Sequence, residues 1–272
     1  MILKRKIYKK LLEWKKECQG KKALLIEGAR RIGKSTICEE FGKNEYKSFL
    51  LIDFAKKDKE VEGYFEKYLN DLDTFFMLLQ THFGTKLTER NSLIIFDEVQ
   101  MFPQARAAIK YLVADGRYDY IETGSLISIR ENVKNIVIPS EERHINMYPL
   151  DFEEFAIALE EDLLVEYIKK CFEKREPLER SMHNQAMLLF HQYMLVGGMP
   201  MPVVTFIESK KDFTEADREK RDILKLYRED IMKIDAKYRS KVLAIYDQIP
   251  GFLSQHELSL IHISEPTRLL SI

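Results

Sequence analysis

The chain has 272 residues, 45% of them apolar and 32% charged, with 43 Lys plus Arg against 44 Asp plus Glu for a formal charge of -1. At roughly 100 to 200 residues per domain, this length suits one large domain or two modest ones, and the mixture excludes collagen-like, disordered and disulfide-stapled classes. The near-zero balance removes the general electrostatic case for nucleic acid, so any such partner has to be met locally.

In chain order, residues 1–22 come first, with nine Lys or Arg against only Glu13 and Glu17, and with Ile7, Leu11 and Trp14 at helical spacing. A basic amphipathic helix of this kind can meet nucleic acid or an anionic membrane surface, but its ordinary use is to pack by the apolar stripe with its lysines in water. Four short apolar runs, 23–26, 49–52, 93–96 and 118–121, read as buried strands, and a weaker fifth at 136–138 is ended by Pro139. Between them, Val61, Phe65, Tyr68, Leu72, Phe75 and Leu79 recur at steps of three and four, which predicts one face of a long helix. Residues 104–114 predict a shorter one. Strands apolar on both faces and alternating with helices predict an α/β class, a doubly wound parallel sheet covered on both sides.

After Pro149 the pattern turns purely helical, which divides the chain into an expected core at 1–148 and a helical region at 149–257. Asp151 caps a helix there, Glu154 reaches back to it, and Leu150 and Phe155 occupy the two positions of a hydrophobic staple. Further helices are expected at about 184–196 and 214–234, with Gly197, Gly198, Pro200 and Pro202 breaking the chain between them. Cys18, Cys38 and Cys171 are too few and scattered for a disulfide framework, and no Cys/His spacing suggests zinc. No apolar run approaches the roughly 18 residues that cross a bilayer, and no signal region opens the chain, so a cytoplasmic protein is expected.

The chemistry concentrates in Gly28-Ala29-Arg30-Arg31-Ile32-Gly33-Lys34-Ser35, a G-x-x-x-x-G-K-[ST] pattern directly after the first strand. Gly28 and Gly33 permit backbone angles and close approaches that let successive N–H groups face phosphate oxygens. Lys34 adds a positive charge for the β and γ phosphates, the helix starting near it offers its free N–H groups, and Ser35 places a hydroxyl for magnesium. The third strand ends in Asp97 and Glu98. Because the carboxyl ends of parallel strands form the ligand edge, these acids emerge beside the loop, Asp97 suited to the metal and Glu98 to a water as general base. The fourth strand ends in Thr123-Gly124-Ser125, whose hydroxyls suit either a γ-phosphate sensor or a strand-terminating turn.

The order GARRIGKST, LIIFDEVQ, ETGS, YPLDFEEF, YMLVGGMP and LYREDIMK resembles the prokaryotic AAA-type ATPases whose C-terminal domain is of unknown, nuclease-like character, over about Lys4 to Glu257. The resemblance implies a P-loop NTPase sheet in which the sensor strand separates the acid-bearing strand from the phosphate-loop strand. It implies ATP or ADP with magnesium as ligands, a nucleotide-binding set of Gly28, Ala29, Arg30, Arg31, Ile32, Gly33, Lys34, Ser35 and Thr36, and Ser35 and Asp97 on the metal. It also implies Glu98 and Lys34 as the catalytic pair and Thr123 or Ser125 as sensor. Arg143 sits where this family often has a Gly-Arg pair, but Glu142 precedes it here, so a phosphate-sensing role stands beside that of a surface arginine paired with Glu141 or Glu142.

Residues 258–268 resemble a translated transposase adapter from sequencing libraries, so the gene product is expected to depart at about Glu257 and the tail 258–272 to carry no function. The leading expectation is an ATP-hydrolysing switch in which nucleotide state moves the helical segment after Pro149. A regulatory ATP/ADP-binding module with little turnover and a P-loop kinase acting on a small metabolite are the alternatives. Client and oligomeric state are not legible.

Overall fold

Five strands pair in parallel in the order β2-β3-β4-β1-β5 in a computed structural model that describes residues 1–124, 140–232 and 234–254. They are β1 (Ala23–Glu27), β2 (Ser48–Asp53), β3 (Ser92–Asp97), β4 (Asp119–Gly124) and β5 (Glu142–Asn146). The first four match the predicted runs, and β4 lies between the acid-bearing β3 and the loop-bearing β1. Strand side chains alternate faces. Leu25, Ile94 and Phe96 face one core, with α3 (Lys59–Tyr68), α4 (Leu72–Phe83) and α5 (Pro103–Asp115). Leu24, Ile26, Leu93 and Ile95 face the other, with α1 (Ile7–Cys18) and α2 (Lys34–Glu45). With both faces covered, central strands are apolar throughout.

The basic N-terminal segment forms α1, which buries Ile7, Leu11, Trp14 and Cys18 as its stripe predicts. Trp14 is 1% exposed, lies 6.4 Å from the Phe41 ring centre and donates its Nε1–H to Lys22 O at 3.0 Å.

The long helix expected across Val61 to Leu79 is two helices. Asp71 ends the first turn-off by donating its N–H to Tyr68 O at 2.9 Å, and its carboxylate caps α4 by accepting from Thr74 N–H at 3.2 Å and from the Thr74 hydroxyl at 2.7 Å. The apolar stripe survives the break because both helices bury it in the same core, Val61, Phe65, Phe75 and Leu79 fully and Tyr68 and Leu72 partly. The edge strand β5 was not among the predicted elements. The strand expected at 136–138 and the tail from 255 onward lie outside the described residues.

The helices after Pro149 are α6 (Phe152–Ala158), α7 (Asp162–Lys174), α8 (Arg180–Val196), α9 (Pro200–Glu208), α10 (Phe213–Ile231) and α11 (Ala236–Ser254). The capping box at Asp151 and Glu154 is present in full, and Leu150 and Phe155 are both buried. The chain divides into two compact units, residues 1–213 and 214–272, with α6 to α9 in the same unit as the sheet. In the second unit, both guanidinium Nη atoms of Arg228 donate to the Asp247 carboxylate at 2.9 and 3.1 Å, and Tyr246 Oη donates to Leu224 O at 3.3 Å. No single helix among the described residues is long and apolar enough to cross a membrane.

One polar cluster lies inside the sheet's α5 face. Arg106 grips Glu142 through Nε at 3.1 Å and Nη2 at 2.8 Å, while Glu122 on β4 is wholly buried. Burial, and then the like charge of Glu142, push the Glu122 carboxyl well above its ordinary value, which favours its neutral form. A carboxyl with a folded value above its unfolded one gives its full stabilisation only below the unfolded value, and that contribution fades as pH climbs toward the folded value. Glu122→Gln removes this titration. In urea melts, the variant is expected to gain on the wild type steadily as pH rises above the ordinary carboxylate range; parallel pH profiles would contradict the raised Glu122 carboxyl.

Candidate functional site

The loop between β1 and α2 is shaped by what surrounds it. Glu27, the last residue of β1, accepts the Met147 N–H at 2.8 Å, which brings the chain leaving β5 across the start of the loop. A Cβ on Gly28 would sit 2.4 Å from Met147 O and 2.6 Å from Ile32 Cδ1, so only glycine fits. Gly33 caps α2 in the left-handed region at φ 89°, where glycine carries no steric penalty. Arg31 also has positive φ, and Ala29, Arg30, Arg31 and Thr36 are exposed while Gly28 and Ile32 are buried. The first turn of α2 holds no acid, leaving its N–H groups to an anion.

Lys34 folds back over the loop, its Nζ donating to Gly28 O at 3.1 Å and Ala29 O at 2.9 Å. Burial lowers its ammonium from the ordinary value, while the Glu98 and Asp97 carboxylates pull in the other direction. The twin acids are therefore electrostatic neighbours of the lysine. Ser35 Oγ donates to Asp97 Oδ1 at 2.8 Å, and Thr123 Oγ1 donates to the same oxygen. Thr123 also accepts the Glu98 N–H at 3.3 Å. Glu98 takes a left-handed backbone at φ 53°, an uncommon one for a non-glycine residue and of the kind found at functional sites. Its Oε2 accepts from Gln100 Nε2.

The structure thus brings Gly28, Gly33, Lys34, Ser35, Asp97, Glu98 and Thr123 to one edge of the sheet. Ser125 lies outside the described residues. Arg143 is not at this edge: it pairs in register with Leu24, near the start of β1, and Glu27 at the loop end pairs with Asn146. Its Nη1 donates to Glu17 on α1 at 2.6 Å, so neither a phosphate-sensing role nor pairing with Glu141 or Glu142 describes it. Four residues to which the sequence assigned no role at the site also bear on it. Arg5 donates to Ile32 O, Gln100 holds Glu98, Met147 fixes Gly28, and Pro200 lies 3.7 Å from where a Cβ on Gly33 would stand.

The last of these comes from the YMLVGGMP segment. Leu150 N–H donates to Gly198 O at 2.7 Å and Tyr193 Oη to Leu150 O at 2.9 Å, which ties the start of α9 to the chain before α6. Gly198 has no room for a side chain, since a Cβ would stand 2.1 Å from Leu150 O.

The donor set fits magnesium. Ser35 and Asp97 present hard oxygens within 2.8 Å of each other, and this ion is commonly held by one or two such protein ligands with phosphates and waters filling the rest. Loop, lysine, hydroxyl and acids on a parallel sheet with this strand order define a P-loop α/β nucleotide-binding protein.

Residues 20–156 match the family model described as an AAA domain, and the chain belongs to that family. It is a nucleotide-binding AAA-type ATPase by family. The nuclease-like C-terminal character implied by the resemblance lies outside the matched residues. No curated protein matches. Among solved structures, the chain is similar to Caenorhabditis elegans PCH-2 at 12% identity and TM-score 0.39, covering 79% of this chain and 65% of that one. It is also similar to the Aeropyrum pernix ORC1 protein in complex with DNA at 9% identity and TM-score 0.38, covering 92% and 74%. The chain therefore spans about two thirds of the PCH-2 chain. Likeness this low fixes no substrate or partner.

Two substitutions check the placement. Gly28→Ala is expected to abolish binding of a fluorescent ADP analogue, because its methyl group collides with the Met147 carbonyl. Arg143→Ala is expected to leave that affinity unchanged, since Arg143 faces Glu17 at the far end of the sheet; a loss would return the residue to the nucleotide site.

Proposed function

We propose that the protein binds ATP with magnesium and hydrolyses it, acting as a conformational switch. The observation that carries this reading is the convergence on Asp97 Oδ1 of the Ser35 and Thr123 hydroxyls, directly beside the lysine of the loop. Bound nucleotide and magnesium supply the reactive γ-phosphoryl group and neutralise the charge that develops on it. The loop N–H groups and Lys34 hold and orient the phosphates. Ser35 and Asp97 hold the metal, Thr123 positions Asp97, and Glu98 accepts the proton of an attacking water. Packing of Pro200 and Met147 at Gly33 supports a route by which the helices after Pro149 follow the state of the loop.

Purified protein with magnesium is expected to release phosphate from ATP. Lys34→Ala should abolish binding, and Glu98→Gln should keep binding while cutting release by at least about a hundredfold. Unchanged turnover in both variants would refute the assignment.

A second reading, a regulatory module that holds ATP or ADP with little turnover, is supported by one contact, the Gln100 amide on the Glu98 carboxylate, which occupies the base. Single-turnover measurements separate the two: bound ATP that stays intact for hours marks the module. A kinase passing phosphate to a small metabolite would reveal itself by acceptor-dependent loss of ATP.

A further inference from the structure

The short segment ahead of α1 reaches two places at once. The Arg5 side chain, 6% exposed, donates from Nη1 to Ile32 O at 3.0 Å and from Nη2 to Tyr148 O at 2.6 Å, and its Nε stands 3.3 Å from Glu154 Oε1. Lys6 adds its backbone N–H to the same Glu154 oxygen at 2.6 Å, and its Nζ reaches Asp151 at 2.6 Å and Glu153 at 2.7 Å. A guanidinium suits this position because its planar fork serves several acceptors in fixed directions.

The two ends of this clamp are the nucleotide loop and the first helix of the helical region. A trans peptide is planar, with C=O and N–H on opposite sides. Drawing the Ile32 carbonyl toward Arg5 therefore points the Gly33 N–H the opposite way within that plane. Gly33 itself, at φ 89°, has no Cβ to fix its orientation, so the neighbouring peptide depends on what holds it. At the other end, Glu154 Oε2 accepts the Asp151 N–H at 3.3 Å as one arm of the capping box that starts α6. One carboxylate thus answers the charge of Arg5 and begins the helix.

We propose that Arg5 is a positioning residue that aims the Gly33 N–H for phosphate and carries the state of the loop to the start of α6 through Glu154. The inference rests on the nucleotide reading of the loop. A shift of the 32–33 peptide on binding has to move the guanidinium, and moving it disturbs a nearly buried charge pair, which resists separation.

The test uses the full chain with ADP and magnesium, reading affinity by calorimetry and hydrogen exchange of amides 152–158 with and without nucleotide. Wild type is expected to bind ADP and to change protection over 152–158 on binding. Arg5→Gln should weaken binding about tenfold, the loss of charge-assisted hydrogen bonds, and should remove the nucleotide dependence of exchange. Arg5→Lys, with the charge but fewer directed donors, should fall between. Glu154→Gln keeps an acceptor for the capping box but removes the charge opposite Arg5. It should retain ADP binding and lose the exchange response. Wild-type affinity and response in Arg5→Gln overturn the proposal, and if that variant does not fold, an undiminished response in Glu154→Gln does so. A wild type that binds ADP without any response at 152–158 overturns the coupling alone. A wild type that does not bind ADP overturns the reading of the loop and the proposal with it.

Discussion

Oδ1 of Asp97 accepts hydrogen bonds from Ser35 on α2 and Thr123 on β4, so the helix that follows the nucleotide loop, the acid-bearing strand and the strand beside it are joined at one atom. Those elements come from three separate stretches of the chain, Lys34–Glu45, Ser92–Asp97 and Asp119–Gly124. Their common end has to be fixed by side chains, since backbone pairing aligns strands but does not orient a helix terminus. A carboxylate does this well because it has lone pairs for several donors and because charge-assisted bonds are the stronger kind. In the proposed function Asp97 also holds the magnesium, which gives folding and ligand chemistry one shared residue.

Around that atom the loop depends on close backbone approaches. Gly28 lies against the Met147 carbonyl and Gly198 against the Leu150 carbonyl, and these two contacts bring chain from either side of α6 to the same edge. The helices α6 to α9 pack within the unit that contains the sheet. A change of sequence character at Pro149, from strands and helices to helices alone, marks a change of architecture without a change of compact unit.

What the sequence displayed follows from burial. Central strands lie between two helical layers and read as unbroken apolar runs, so β1 to β4 were legible, as was the loop, whose glycines, lysine and serine have few other reasons to stand at that spacing. Among the described strands the edge strand β5 pairs only with β1, and Arg143, His144 and Asn146 on it are exposed, so nothing in its composition marks a strand. Misplacing Arg143 follows from that: nearness in sequence to the Pro-Leu segment says nothing of which end of a strand a residue occupies. The helical period from Val61 to Leu79 was real, but the stop at Asp71 required weighing a capping residue against an uninterrupted stripe. α7 buries only Leu164, Val165 and Cys171 and leaves Leu163 and Phe172 exposed, so its apolar residues do not mark one clean face. Arg5 and Gln100 act through contacts made by residues far off or oddly turned, which no local pattern records.

The single tryptophan of the chain gives the packing beneath the loop an optical consequence. Trp14 of α1 is buried against Phe41 of α2, with its indole nitrogen donating to a backbone carbonyl. Its emission reports on one site only, a dry environment against the very helix whose first turn faces the nucleotide. The protein thus carries a native fluorophore at the root of its ligand-binding helix, and loosening of α1 from α2 registers as a red shift without any label attached.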